Sequence, residues 1–239
     1  MKVTPRRRLA LPLALGALGG GFIWLPACVL STVMPASFSC ASWHGTVWHG
    51  QCEGVSLDNS RSGDLTWQIK TPIVNPLAAR IDWHWRRDAS YATGALRVTA
   101  SGDTSVQVHE ASLSLQTLRD AMPARIALGP LTGISGTLAT NELTIVWAPN
   151  GLRSASGPLH LREARLLRDD APLGDFTAVF EGRAGVLRDL GGPLRLNGRI
   201  ELTSPRAFRA KVRLEPRSKA LTSLILGGQP TEAEIEGQF

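Results

Sequence analysis

Charge is missing from the start of this chain. The 44 residues from Leu9 to Cys52 contain no Lys, Arg, Asp or Glu. The first 22 of them, Leu9 to Leu30, are apolar and long enough to cross the roughly 30 Å of bilayer hydrocarbon as a helix. Their Pro12, Gly16, Gly19, Gly20 and Gly21 suit a bilayer helix better than a soluble one. Arg6, Arg7 and Arg8 stand directly before the stretch, and such clusters favour the cytoplasmic side. We therefore expect a cytoplasmic basic terminus over residues 1–8, a transmembrane anchor over 9–30, and a domain outside the cytoplasm over 31–239. Two other readings stay open. A cleaved secretory signal has an apolar core of only about 7–15 residues, shorter than this one. A lipoprotein signal would use Leu25-Pro26-Ala27-Cys28, where a cysteine follows a small residue.

Lysine is scarce as well: Lys2, Lys70, Lys211 and Lys219 are all there is. The chain carries 26 basic and 20 acidic residues, a net +6. Lys2 and Arg6 to Arg8 precede every acid, and without them 22 basic residues face 20 acids. The outer domain is thus nearly neutral and lacks the concentrated basic face of a nucleic-acid binder. Only three cysteines occur. Cys28 lies in the apolar stretch, whereas Cys40 and Cys52 lie where an oxidising compartment permits a disulfide. On one straight strand they would sit about 40 Å apart. A bridge between them demands a turn near Gly45-Thr46-Val47; two free thiols are the alternative.

Equally informative are the missing motifs. There is no Gly-x-Ser-x-Gly elbow. No His-Glu-x-x-His, paired Cys-x-x-Cys or phosphate-binding loop is present. We assign no catalytic, cofactor-binding or metal-ligating residue, and expect no enzyme. Three of the five histidines adjoin tryptophan or glycine, in Trp43-His44-Gly45, Trp48-His49-Gly50 and Trp83-His84-Trp85. His44 and His49 are five residues apart, so a straight strand sends them to opposite faces. Only a bulge near Gly45 would bring them together on a metal. Most tryptophans occupy inward strand positions; Trp24, Trp43 and Trp48 also suit a membrane interface. Asp64, Asp82, Glu201, Glu215, Glu234 and Glu236 fall on outward positions, where solvation is their ordinary role.

What the chain has in abundance is alternation. Leu65-Trp67-Ile69, Ile81-Trp83-Trp85, Leu96-Val98-Ala100, Val106-Val108, Leu113-Leu115 and Leu143-Ile145-Trp147 place apolar residues at every second position. Leu159-Leu161, Phe176-Ala178-Phe180, Leu194-Leu196, Ile200-Leu202, Phe208-Ala210-Val212-Leu214 and Ala233-Ile235 continue the pattern. This is the period of half-buried strands. Turn signals such as Ser101-Gly102-Asp103, Pro149-Asn150-Gly151 and Gly191-Gly192-Pro193 separate them. About a dozen short strands follow without the helices that parallel crossovers need, so an all-β, largely antiparallel domain with one apolar face is expected. Two short helices are expected, Leu118 to Met122 and Lys219 to Leu226. Gly63, Gly94, Gly136, Gly157 and Gly192 each open a strand in a Gly-x-Leu tripeptide.

The order of several segments resembles a known family. After the apolar stretch come Gly45-Thr46-Val47-Trp48-His49-Gly50 and Gly63-Asp64-Leu65-Thr66-Trp67-Gln68-Ile69. The proline-containing connection Thr71 to Leu77 follows. Leu128 to Leu138 is a glycine-rich mid-chain element; Pro172 to Phe176 and Gly191 to Gly198 come later, and Leu226-Gly227-Gly228-Gln229-Pro230 precedes a final strand. The chain resembles protein N of the bacterial type II secretion system over nearly its whole length. That resemblance implies a single-pass inner-membrane protein with a periplasmic β-domain. It would be a non-catalytic accessory of protein export, contacting other secretion subunits such as the secretin or the inner-membrane platform. An alternative is an AsmA-like protein that binds or transfers lipid along its apolar face. The two differ in whether that face is a closed, filled core or a continuous exposed groove.

Overall fold

A computed structural model describes residues 24–58, 60–70, 78–121, 133–204, 207–217 and 231–238. They form one thirteen-stranded antiparallel sheet in which every strand pairs with its neighbours in sequence. The strands are β1 (Phe38–Gly45), β2 (His49–Leu57), β3 (Ser60–Lys70), β4 (Ala78–Arg87), β5 (Ser90–Thr99), β6 (Thr104–Ser114) and β7 (Ile134–Ala148). They continue with β8 (Gly151–Leu166), β9 (Pro172–Gly182), β10 (Ala184–Gly191), β11 (Leu194–Ser204), β12 (Ala207–Pro216) and β13 (Thr231–Gln238). The all-β, antiparallel expectation holds. One α-helix is described, α1 (Leu115–Ala121), close to the expected 118–122. Leu115 opens this helix instead of ending a strand, because Ser114 caps it: the Ser114 hydroxyl accepts the Thr117 amide at 2.9 Å. The second expected helix, 219–226, lies outside the described residues. So do residues 1–23. Among the described residues no helix is long and apolar enough to cross a membrane.

Alternation divides the sheet into two faces. Across β3 to β7, Ile69, Ile81, Leu96, Val106 and Ile145 stand in one register row. Trp67, Trp83, Gly94, Val108 and Leu143 form the next row. The opposite face is polar. There Arg209 bonds Glu236 at 2.7 Å and Glu234 at 3.2 Å, joining β12 to β13.

Among the described residues no second sheet lies over the apolar face, and large side chains cover it by lying down on glycines. Trp67 is paired with Gly50, Trp83 with Gly94, Phe180 with Gly185, and Leu187 with Gly198. A Cβ at Gly50 would lie 2.3 Å from the Trp67 ring, and one at Gly94 2.7 Å from the Trp83 ring. One at Gly185 would lie 2.7 Å from the Phe180 ring. The missing side chain on one strand is the space into which its neighbour folds. Among the described residues two clusters of buried apolar residues stand out, and others, such as Leu115, are buried outside them. The first joins Ala27, Cys52, Val55 and Trp67, with Phe38, Trp43, Leu65, Ile69 and Ile81 around them. The second joins Ala164, Leu173, Phe176 and Leu194.

These clusters are built by the same device twice. In β2 a bulge frees the Gly54 amide, which donates to the Asp64 carboxylate at 2.8 Å. In β8 a bulge frees the Glu163 amide, which donates to Asp175 at 2.7 Å. The next residues, Val55 and Ala164, are buried and face Gly63 and Gly174. Those glycines have φ of +110° and +112°, a backbone that side chains rarely adopt. Each begins the same Gly-Asp-x-Thr pattern, Gly63-Asp64-Leu65-Thr66 and Gly174-Asp175-Phe176-Thr177. The strands carrying this device, β2–β3 and β8–β9, are six apart.

Candidate functional site

The described residue set offers no cluster of three or more metal-ligating side chains, and the residues most constrained by structure lie at the first hairpin. Gly45 (φ +81°) leads into the turn at Thr46, Val47 and Trp48. The Thr46 amide donates to the His49 carbonyl at 2.9 Å, and the His49 amide returns to the Thr46 hydroxyl at 3.2 Å. The Trp67 indole N–H donates to the Val47 carbonyl at 2.9 Å while its ring covers Gly50. Each position of Gly45-Thr46-Val47-Trp48-His49-Gly50 thus makes the turn or seats the tryptophan of the next strand. The motif is structural.

The turn settles the cysteine question. It folds β1 back on β2, brings Cys40 and Cys52 to a Cα separation of 5.8 Å, and a disulfide joins them. Cys52 is completely buried. The same turn corrects the histidine geometry. Gly45 pairs with Gly50 and His44 with Gln51, so His44 and His49 share the polar face. The straight-strand expectation failed because five residues of separation span a reversal, not a strand. His44 approaches Glu53 at 3.8 Å, and both are exposed. Trp43 packs edge-on against Trp67, with centroids 5.9 Å apart, inside the first apolar cluster.

Directly upstream, Leu25 to Thr32 lie against this hairpin. The Val47 amide donates to the Leu25 carbonyl at 2.9 Å, and Pro26 bridges Thr46. A 3-10 turn, Ala27–Thr32, follows, with Ala27 only 1% exposed against Cys52, Val55 and Trp67. Leu25 to Leu30, the last residues of the expected 9–30 anchor, therefore pack against the first hairpin. Cys28 is exposed and free on this turn. Trp24, just before it, is 78% exposed.

Elsewhere the polar face is an ordinary charged lattice. The Lys70 ammonium and the Arg80 guanidinium both bond Asp82, and these hydrogen bonds hold its carboxyl below the usual carboxylate range. The Glu110 carboxylate accepts the Tyr91 hydroxyl at 2.7 Å, which pushes the phenol up. The expected outward acids Asp64, Asp82, Glu201, Glu215, Glu234 and Glu236 all lie on this face. A shallow depression of about 280 Å³ between β4 and β5, lined by His84, Arg86, Asp88, Ala89, Ser90 and Tyr91, is open and mixed in character.

A single-layer antiparallel meander, fastened at its first hairpin by a tryptophan, a disulfide and the incoming chain, defines a β-sheet platform. The family model of the type II secretion system protein N matches residues 37–228. The match covers most of the chain, from the start of β1 to beyond β12, and the chain belongs to that family. Its place is in type II secretion. No curated protein and no solved structure matches it.

Proposed function

We propose that this protein is a non-catalytic accessory of the type II secretion machinery, anchored in the inner membrane and working through contacts of its periplasmic sheet with other subunits. The family match over 37–228 carries this reading. The Cys40–Cys52 bridge supports it, because such bonds persist in oxidising compartments. The anchor is the apolar stretch that opens at Leu9, and the sheet that follows it is periplasmic. Leu25, Pro26 and Ala27 fasten to the first hairpin, so cleavage ahead of Cys28 would remove a buried residue and two backbone contacts. That speaks against lipoprotein processing at Cys28.

In-cell photocrosslinking from polar-face positions such as Thr66, Gln107 and Arg199 tests this function. Recovery of the secretin or an inner-membrane platform subunit supports it; recovery of lipid alone sinks it. Lipid handling has one observation in its favour: β1 and β13 are not paired among the described residues, and no second sheet covers the apolar face. Against it, the rings of Trp67, Trp83 and Phe180 already occupy that face, lying over glycines.

A further inference from the structure

A meander has two ends. Turns after the odd-numbered strands all lie at one end, and turns after the even-numbered strands at the other. The two differ in composition. The even-numbered strands lead into Asp58, Asp88, Asp169 and Asp170, and α1 adds Asp120. At the other end the described turns are Thr46-Val47-Trp48, Ala100 to Asp103, Pro149-Asn150 and Arg183. Asp103 is the one acid in those turns, and Arg153 lies 3.6 Å from it.

Apolar side chains are exposed at both ends, Leu167 and Leu190 at the aspartate-bearing one, but only the acid-poor end also receives the incoming chain. Val98 and Trp147 occupy the last-but-one positions of β5 and β7, in one row through Thr104. Each is 37% exposed. Trp24 is at this end too, since the Leu25 carbonyl is bonded to Val47 in the first turn. The chain therefore comes in from Leu9–Ile23, fifteen uncharged residues, at the end that carries Trp24, Val98 and Trp147. Indole rings prefer the bilayer interface. Arg183, in the turn after β9, suits anionic headgroups.

We propose that this end of the sheet docks on the periplasmic face of the bilayer, through Trp24, Val98 and Trp147. The aspartate-bearing end with α1 then points away, toward the partners. This orientation rests on the anchor reading above and adds to it which end meets lipid. An anchor alone, joined by a free linker, would set no orientation. Here the linker is short, because Leu25 and Pro26 are already bonded to the first hairpin.

The test uses the full chain in vesicles of phosphatidylethanolamine and phosphatidylglycerol. In a Cys28→Ser background, with the native disulfide intact, a fluorophore is placed on Asn150→Cys or on Asp169→Cys. Both positions are exposed turns, at opposite ends. Lipids carrying a nitroxide at the headgroup should quench the label at 150 severalfold more than the label at 169. Adding Trp147→Asp should lower quenching at 150 while the chain still resists carbonate extraction. Equal quenching, or stronger quenching at 169, in a chain that resists extraction overturns the orientation and leaves the anchor standing. An unchanged signal at 150 in the Trp147→Asp chain removes the aromatic contact. A chain released by carbonate with neither label quenched overturns both readings.

Discussion

Gly50→Ala is the sharpest test of how this sheet does without a second layer. The added Cβ would lie 2.3 and 2.8 Å from two Trp67 ring atoms and 2.8 Å from the Thr46 carbonyl oxygen. The oxygen belongs to a turn fixed by two hydrogen bonds, and the ring is 8% exposed within the first cluster. Neither neighbour can yield without loss elsewhere. Displacing the ring lengthens the indole bond to Val47 and opens the packing around Cys52. Overpacking of this kind costs about 1–3 kcal/mol. Replacing glycine by alanine restricts the unfolded chain and returns about 0.4–1 kcal/mol. The net expectation is a loss of about 1–2 kcal/mol. Trp67→Leu alone should cost about 2–3 kcal/mol through lost area and the orphaned Val47 carbonyl. With the ring gone, Gly50→Ala should be nearly silent, so the double-mutant cycle should give a coupling of about 1–2 kcal/mol. Urea unfolding of the oxidised chain, followed by far-ultraviolet circular dichroism, measures all three variants. A neutral or stabilising Gly50→Ala, or strictly additive losses, refutes the mutual fit of ring and glycine.

Other expectations are more local. Replacing Cys40 and Cys52 by serine opens a loop with a sequence separation of 12 and should cost about 3 kcal/mol in the same unfolding assay. Asp82 has its carboxyl held low by Lys70 and Arg80, so its contribution is present above the ordinary carboxylate pKa and lost as pH falls through its lowered value. Unfolding midpoints followed into acid should therefore fall less steeply in Asp82→Asn than in the parent chain. The Thr177 hydroxyl is buried without a hydrogen-bond partner among the described residues. Thr177→Val removes that cost at equal shape and should stabilise by about 1 kcal/mol, read as a higher urea midpoint. Asp64→Ala and Asp175→Ala should each cost about 1 kcal/mol, with losses that add, and speed hydrogen exchange at the Gly54 and Glu163 amides respectively.

Strand existence and facing were legible because a period of two is written directly into pairs such as Leu65-Trp67-Ile69 and Ile81-Trp83-Trp85. The turn that joins Cys40 to Cys52 was legible as a condition, since no bond length spans a straight strand between them. Three things were not. Leu115 reads as the end of a strand, and only the Ser114 cap and its contact with Thr117 convert it into a helix start. The faces of His44 and His49 depended on where the chain reverses, and residue spacing is silent about that. Bulges at Glu142 (φ +66°) and Glu163 (φ +52°) carry no glycine to announce them. The one available signal was the repeated Gly-Asp-x-Thr, whose aspartate reaches across to the freed amide. Of the functional surface, the charge-free start was visible, but the end of the sheet it joins was not. That depends on the Leu25–Val47 bond.

The repeated device bears on how a platform of this shape stays open. A twisted antiparallel sheet closes or packs on a partner sheet when its apolar side chains stand upright toward a common core. Here two features oppose that. Rings fold sideways onto glycines, which leaves the apolar face shallow, and bulges at β2 and β8 bury Val55 and Ala164 in two separate clusters. α1 lies between the first six strands and the next. Its Ala121 carbonyl accepts the Ser62 hydroxyl of β3, and Arg119 donates to the Ile134 carbonyl of β7. One short helix thus touches strands four places apart, which requires the sheet to curl around it. The first six strands are bridged to the next by that helix, and the first hairpin holds the incoming chain. A load taken at the far strands therefore reaches the first hairpin through continuous backbone ladders, braced by that helix. For a component of an export machine, that continuity is a physical reason to have one long meander instead of two separate barrels.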